Sequence, residues 1–213
     1  MSVWVVVVAA GAASRFGVAK QFGTLGGRRV LDWSLEAVAS VADGVVLVVP
    51  ASRIDRAEPA ADRVVAGGAT RSASVRCGLA AVPDDAEVIV VHDAARPLAA
   101  ADLFVRSVAA VAAGADGAIC AVANADTLKR VEAGVVVETV DREGLWAVQT
   151  PQAFRASVLR QAHRCGGEAS DDAALVEAAG GRVVVVEGDV RNLKLTRPGD
   201  LVVAEALVAT LGR

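Results

Sequence analysis

Cysteine and histidine are scarce. The 213-residue chain has three cysteines, Cys77, Cys120 and Cys165, and two histidines, His92 and His163. No two cysteines are close in sequence and no C-x-x-C occurs. That pattern argues against a disulfide framework and fits a reducing, cytoplasmic setting. Neither histidine has metal-ligand spacing to a cysteine, which argues against a zinc site. No charge of one sign dominates either. Lysine and arginine total 22 and aspartate and glutamate 25, a net charge of −3, so nothing draws the whole chain to nucleic acid. No apolar run reaches the roughly 18–20 residues of a membrane span. The apolar start lacks a preceding lysine or arginine, so it reads as a first core strand rather than a leader.

Two nucleotide-binding signatures are also missing. No Gly-Lys-Ser/Thr triplet follows Gly11, so there is no Walker A loop. Ala13 stands where the second glycine of G-x-G-x-x-G would be. There is no internal repeat and no low-complexity linker.

What is present is a core-forming chain, 54% hydrophobic and 22% charged, of a length that suits one domain. It opens on a continuous apolar run, Val3 to Val8, followed by Ala9-Ala10-Gly11-Ala12-Ala13 and then by Arg15, Gly17 and Lys20. Small residues let backbone N–H groups approach an anion, and two cations can balance its charge. The stretch reads either as a phosphate cradle or as a core strand with an ordinary surface loop.

Further along, Val45–Val49, Val64–Val65, Glu87–Val91, Gly117–Val122 and Val183–Val186 read as buried strands. The spacing predicts helices over 30–41, 70–82, 102–113, 151–163, 171–179 and 198–211, with Thr70 or Ser72 and then Ser170 as caps and Pro151 and Pro198 in first turns. Residues 192–195 read as a short strand. Alternating strands and helices predict an α/β fold with a mostly parallel sheet, whose ligands bind beyond the carboxyl ends of the strands. Segments on either side of Glu132-Ala133-Gly134 read as a β-hairpin. It is either an arm that reaches a second subunit or an edge hairpin of the same domain.

The unusual residues gather after strands: Arg15 and Lys20, then Gly67, Gly68, Arg71 and Ser74, then Asp93 and Arg96, then Arg142, Thr150 and Lys194. Five cations at one rim (Arg15, Lys20, Arg96, Arg142 and Lys194) suit a polyphosphate plus a second anion. Singly, each has a plainer reading. Arg71 can be solvated, Asp93 can cap a turn, and Lys194 can lie on the polar face of a half-buried strand. His92 has no nucleophile motif beside it, and Cys77 suits a core position.

Taken in order, AAGAASRFGVAKQF, VAGGATRSASVRCGL, VVHDAARP, ADTLKR, VDREGLWAVQTPQAF, SDDAALVE and NLKLTRPGDL resemble the 2-C-methyl-D-erythritol 4-phosphate cytidylyltransferase family over nearly the full length. The resemblance implies a Rossmann-like, mostly parallel twisted sheet in a single domain over 1–213, with a dimerisation arm at about 125–145 forming a homodimer. It implies CMP transfer from CTP to 2-C-methyl-D-erythritol 4-phosphate, with Mg²⁺ held mainly by the CTP phosphates. Ribitol 5-phosphate or another polyol phosphate is the rival substrate, and an inactive nucleotide-binding protein the rival class.

By resemblance, Ala9, Ala10, Gly11, Gly67, Arg71 and Ser74 line the CTP site. Arg15 and Lys20 stabilise charge during the reaction. Asp93, Arg96, Thr127, Arg142, Thr150 and Lys194 hold the polyol phosphate, with Thr127 and Arg142 supplied by the partner subunit. Arg142 and Lys194 would position the attacking phosphate. Ala13, and Ala19 in place of a proline before Lys20, depart from the family pattern.

Overall fold

A computed structural model describes residues 1–11, 20–165 and 167–211, with the side chains of Lys20 and Leu211 excepted. In chain order the elements are β1 (Val3–Val8), β2 (Thr24–Leu25), β3 (Arg28–Arg29), α1 (Val30–Val38), β4 (Gly44–Val49), β5 (Arg63–Ala66), α2 (Arg71–Ala81) and β6 (Val88–Asp93). They continue with α3 (Ala101–Ala112), β7 (Gly117–Ala123), β8 (Leu128–Glu132), β9 (Val135–Val140), β10 (Trp146–Arg155), α4 (Ala156–Cys165), α5 (Asp172–Ala178), β11 (Val183–Glu187) and α6 (Pro198–Leu211).

Seven strands form one sheet in the order β11-β7-β10-β6-β1-β4-β5. The β1–β4, β1–β6, β4–β5 and β7–β11 pairs are parallel, and only β10 runs against its neighbours. The valine-rich central strands β1, β4 and β6 are apolar on both faces because both faces are covered. Packed with the side chains of α1 and α3 are Val5, Val7, Leu47 and Val90; packed with those of α2, α4 and α5 are Val6, Val48, Ile89 and Val91. A β-carbon on Gly78 would meet Val6 Cγ1 at 2.5 Å, so glycine lets α2 close onto β1 and β4. A smaller cluster of Leu25, Val30, Leu195 and Ala204 ties α6 to the β2–β3 ribbon.

The mostly parallel α/β sheet, the hairpin and most elements match the sequence expectation. Three differ. Residues 151–155 continue strand β10, and the helix begins at Ala156. Pro151 is tolerated inside a central strand because the register with β7 shifts between Val148 and Gln152, where no ladder N–H is required. Asp171, not Ser170, caps α5 by accepting the Ala174 N–H at 3.1 Å. Residues 192–195 are not a strand; the Leu195 N–H bonds the Ala95 carbonyl as part of an ordered loop.

Candidate active site

Small residues decide the first half of the site. At the end of β1, the Ala9 N–H bonds the Val48 carbonyl at 2.7 Å. The buried Gln21 amide donates to the Ala9 carbonyl at 2.6 Å and more weakly to that of Gly11. Across from them, β5 runs into Gly67, where a β-carbon would collide with both Ala10 and the Ser74 hydroxyl. Glycine there lets the first loop, the β5 turn and α2 meet. Thr70 caps α2, its hydroxyl accepting the Ala73 N–H at 3.0 Å, and the Ser74 hydroxyl donates to the Thr70 carbonyl at 2.8 Å. The result is a cavity of about 590 Å³ lined by Ala9, Ala10, Gly11, the start of α2, Asp93 and Lys194. The positive end of a helix dipole opening into a pocket of small side chains is suited to a phosphate chain.

A second cavity, about 420 Å³, lies beside it and is lined by Arg96, Gln149, Thr150, Gln152 and Asp171, among others. Arg71, Asp93 and Lys194 belong to both linings. They form the shared wall. Arg71 Nε donates to Asp93 Oδ1 at 3.1 Å, and Lys194 Nζ donates to Asp93 Oδ2 at 2.6 Å. Burial alone would raise the Asp93 carboxyl, but Arg71 and Lys194 outweigh it and hold the group well below the ordinary carboxylate value. Burial works against the Arg71 charge, and Asp93 with Asp172 overcomes it and raises its pKa.

The backbone of Asp93 is fixed as well. Its N–H donates to Thr150 Oγ1 at 3.0 Å, and that hydroxyl lies 3.1 Å from His92 Nδ1. Burial pushes His92 down to about 4, against the opposing pull of Asp93. The imidazole is therefore neutral near pH 7, and its Nδ1 shares a hydrogen bond with the Thr150 hydroxyl. Arg96 donates to the carbonyls of Asn192, at 2.7 Å, and Val148, at 3.2 Å. The Asn192 amide in turn bonds the Thr150 carbonyl at 2.9 Å, locking the Lys194 loop against β10.

A family model described as 2-C-methyl-D-erythritol 4-phosphate cytidylyltransferase matches residues 3–210. The chain belongs to this family. A cytidylyltransferase of that name from Geobacter metallireducens is 41% identical, over 98% of both chains. The bifunctional IspD/IspF enzyme of Anaeromyxobacter dehalogenans is 45% identical over 95% of this chain, and the chain spans only 56% of that relative's length. The crystal structure of the cytidylyltransferase from Thermus thermophilus superposes with a TM-score of 0.84 at 40% identity, covering 98% of this chain and 100% of that one.

Set against the residues the cytidylyltransferase resemblance singled out, Ala9, Ala10, Gly11, Arg71 and Ser74 line the first cavity, with Gly67 packed behind it. Arg96 and Thr150 line the second, and Asp93 and Lys194 line both. Arg71 is paired with two carboxylates rather than left to solvent, Asp93 does not spend its carboxylate on a turn cap, and Lys194 is not on a strand. Thr127 and Arg142 are exposed at the base of the β8–β9 hairpin, where Arg142 bonds the Ala125 carbonyl, and they line neither cavity. Arg15, Ala13 and Ala19 lie outside the described residues, and so does the Lys20 side chain. Gln21, Asp172 and Asn192 join the site without a signal in the sequence. Gln21 directly follows Lys20, but nothing in the sequence says that its amide turns back onto Ala9.

Proposed function

We propose that this chain transfers CMP from CTP to 2-C-methyl-D-erythritol 4-phosphate, releasing pyrophosphate. The observation that carries the reading is the pair of adjoining cavities sharing the Arg71–Asp93–Lys194 wall. One suits a nucleoside triphosphate and the other a second phosphate ester, so two anions meet at a wall that carries two cations. A phosphate oxygen of the polyol ester attacks the α-phosphorus of CTP, and the bond from that phosphorus to the β-phosphate bridging oxygen breaks. A phosphate monoester is already an anionic nucleophile near neutral pH, so no general base is needed, and buried His92 is not asked to be one. Ala9, Ala10, Gly11 and the α2 N-terminus hold the triphosphate. Arg15 and Lys20 meet the charge that builds on the leaving pyrophosphate. Lys194, Arg96 and Thr150 place the polyol phosphate for in-line attack, joined by Thr127 and Arg142.

Among the described residues, Asp93 is the only carboxylate lining the first cavity, and both of its oxygens already face cations. Among the described residues there is also no group of three or more histidine, cysteine, aspartate or glutamate side chains able to hold a metal. That donor set fits Mg²⁺ carried in by the triphosphate oxygens rather than by a protein cage. The ion would supply charge neutralisation to the triphosphate.

A homodimer through the arm completes the reading. Val131, Val135, Val136 and Val137 of the hairpin are each more than half exposed. Such apolar surface suits an interface and would bring Thr127 and Arg142 to a neighbouring second cavity. No helix among the described residues is long and apolar enough to cross a membrane, which is in keeping with a cytoplasmic reaction on two water-soluble phosphates.

Pyrophosphate release, measured with 2-C-methyl-D-erythritol 4-phosphate against each of four nucleoside triphosphates, tests the proposal. Release with CTP and Mg²⁺ is expected. No release with any nucleotide, or release only with ribitol 5-phosphate, would refute it.

A further inference from the structure

Arg71 has a second anchor that lies outside both cavities. Its Nη1 sits 2.9 Å from Asp172 Oδ2, and the other Asp172 oxygen lies 3.0 Å from His163 Nε2. The pair is sealed in, with side-chain exposure of 1% for Asp172 and 2% for His163. A carboxylate can only accept, so the geometry assigns His163 the Nε2–H tautomer, donating to Asp172. The network is therefore linear: His163, Asp172, Arg71, Asp93, Lys194. Two of its links join separate helices packed on one face of the sheet. His163 is on α4, Asp172 opens α5, and Arg71 opens α2.

The orientation of Arg71 follows from these two carboxylates. Nε is spent on Asp93 and Nη1 is drawn to Asp172, so the planar guanidinium is fixed at two points. Nη2 donates to no acceptor among the described residues and is the part left for a ligand. The Arg71–Asp172 contact is close as an ion pair, yet neither Nη1 nor Oδ2 makes an aligned hydrogen bond. The guanidinium can thus rotate about the Asp93 contact unless Asp172 itself is held. His163 supplies that hold; Asp172 has no other hydrogen-bond donor among the described residues.

We propose that His163 and Asp172 are positioning residues for the transfer reaction, acting through Arg71 to set the wall between the two cavities. The proposal rests on the cytidylyltransferase reading for its catalytic consequence, but not for its structural content. Burying a charge beside Arg71 without touching substrate makes sense if the arginine must keep one orientation in both cavities at once.

The test combines kinetics with a direct view of Arg71. His163→Leu removes the donor, His163→Gln restores an N–H toward Asp172, and Asp172→Asn keeps the shape while removing the charge. Thermal melting confirms that each variant is folded. Pyrophosphate release then gives kcat and KM, and the Arg71 Nε–H signal in ¹H–¹⁵N spectra, assigned with Arg71→Lys, reports on the side chain. His163→Leu and Asp172→Asn are expected to lower kcat on the order of 10- to 100-fold, the scale of a misplaced group near the reacting atoms. KM for CTP should change by no more than about threefold, because the phosphates are held mainly by backbone N–H groups. His163→Gln should recover most of kcat, and combining His163→Leu with Asp172→Asn should give a variant no slower than the worse single one. The Arg71 signal should broaden or move in His163→Leu and return in His163→Gln.

Wild-type kcat in folded His163→Leu, an equal loss in His163→Leu and His163→Gln, or an unmoved Arg71 signal would overturn the proposal. If the wild-type protein itself releases no pyrophosphate, the functional reading falls, and the Arg71 signal still decides the positioning role.

Discussion

His92 makes stability pH-dependent in a way that can be worked out in advance. Its ring is fully buried against Phe104 with Nε2 unpartnered, and Nδ1 faces the Thr150 hydroxyl. The unfolded chain takes up the imidazole proton near the ordinary 6.5, and the folded protein only near about 4. Between those values the unfolded state holds more protons, so stability falls as pH drops through the window and is flat above it. The full gap is worth about 3 kcal/mol, of which about 2 kcal/mol is lost by about pH 5. Asp93 acts lower down. Its depressed pKa contributes stability that is lost only as pH falls below the ordinary carboxylate value. The assay is urea unfolding, followed by tryptophan fluorescence from about pH 8 to about pH 4.5, for wild type and His92→Asn. Asparagine can hydrogen-bond the Thr150 hydroxyl in either direction but does not titrate. The variant should be less stable near pH 7 by about 1–3 kcal/mol, and the difference between the two proteins should narrow by about 2 kcal/mol toward pH 5. Every other titrating group is common to both, so parallel curves would refute the reasoning.

Other substitutions test the remaining parts of the site. Gly67→Ala should cost about 1–3 kcal/mol, because its methyl group collides with Ala10 and Ser74; calorimetric melting would show it, and KM for CTP should rise more than KM for the polyol phosphate. Lys20→Ala should lower kcat by about 100-fold or more if its charge acts on the leaving pyrophosphate, and near wild-type turnover would remove it from the mechanism. Val135→Glu with Val137→Glu on the arm should shift the protein to monomer in sedimentation velocity and cut turnover. A wild-type protein that sediments as a monomer would rule out the arm-mediated dimer.

How much of the molecule is legible in its sequence depends on whether a residue's role is local. The strands β1, β4, β6 and β7 are readable because a strand buried on both faces must be apolar along its length; β11, read as a buried strand from its four valines, is instead an edge strand with Val185 half exposed. The second half of β10 is not readable, because it is central yet polar: Gln149, Thr150 and Gln152 are buried there and bonded to Asp189, Asn192 and Asp171, about 20 to 40 residues away. With those partners invisible, Pro151 reads as the start of a helix. In the site, strand-end placement makes Arg71, Asp93 and Lys194 visible as candidates. Their mutual pairing is not, since Asp93 lies 22 residues from Arg71 and 101 from Lys194. In sequence, Asp172 is one more residue in the first turn of a helix and His163 one more on a helix face. The contact between them exists only because α4 and α5 fold back on each other.

β10 has a mechanical consequence. Its first residues, Trp146 to Val148, pair with β7 alone and emerge from the arm, while Gln152 to Arg155 are clamped between β6 and β7. The β8–β9 hairpin is a separate ribbon joined to the sheet by residues 124–127 and 141–145, which leave and re-enter at the paired residues Ala123 of β7 and Trp146 of β10, so its root is that strand pair. A few residues beyond that root, β10 offers the Val148 carbonyl that receives Arg96 and the Thr150 hydroxyl that receives the Asp93 N–H. The strand that anchors the arm is therefore also the strand that fixes the Asp93 backbone.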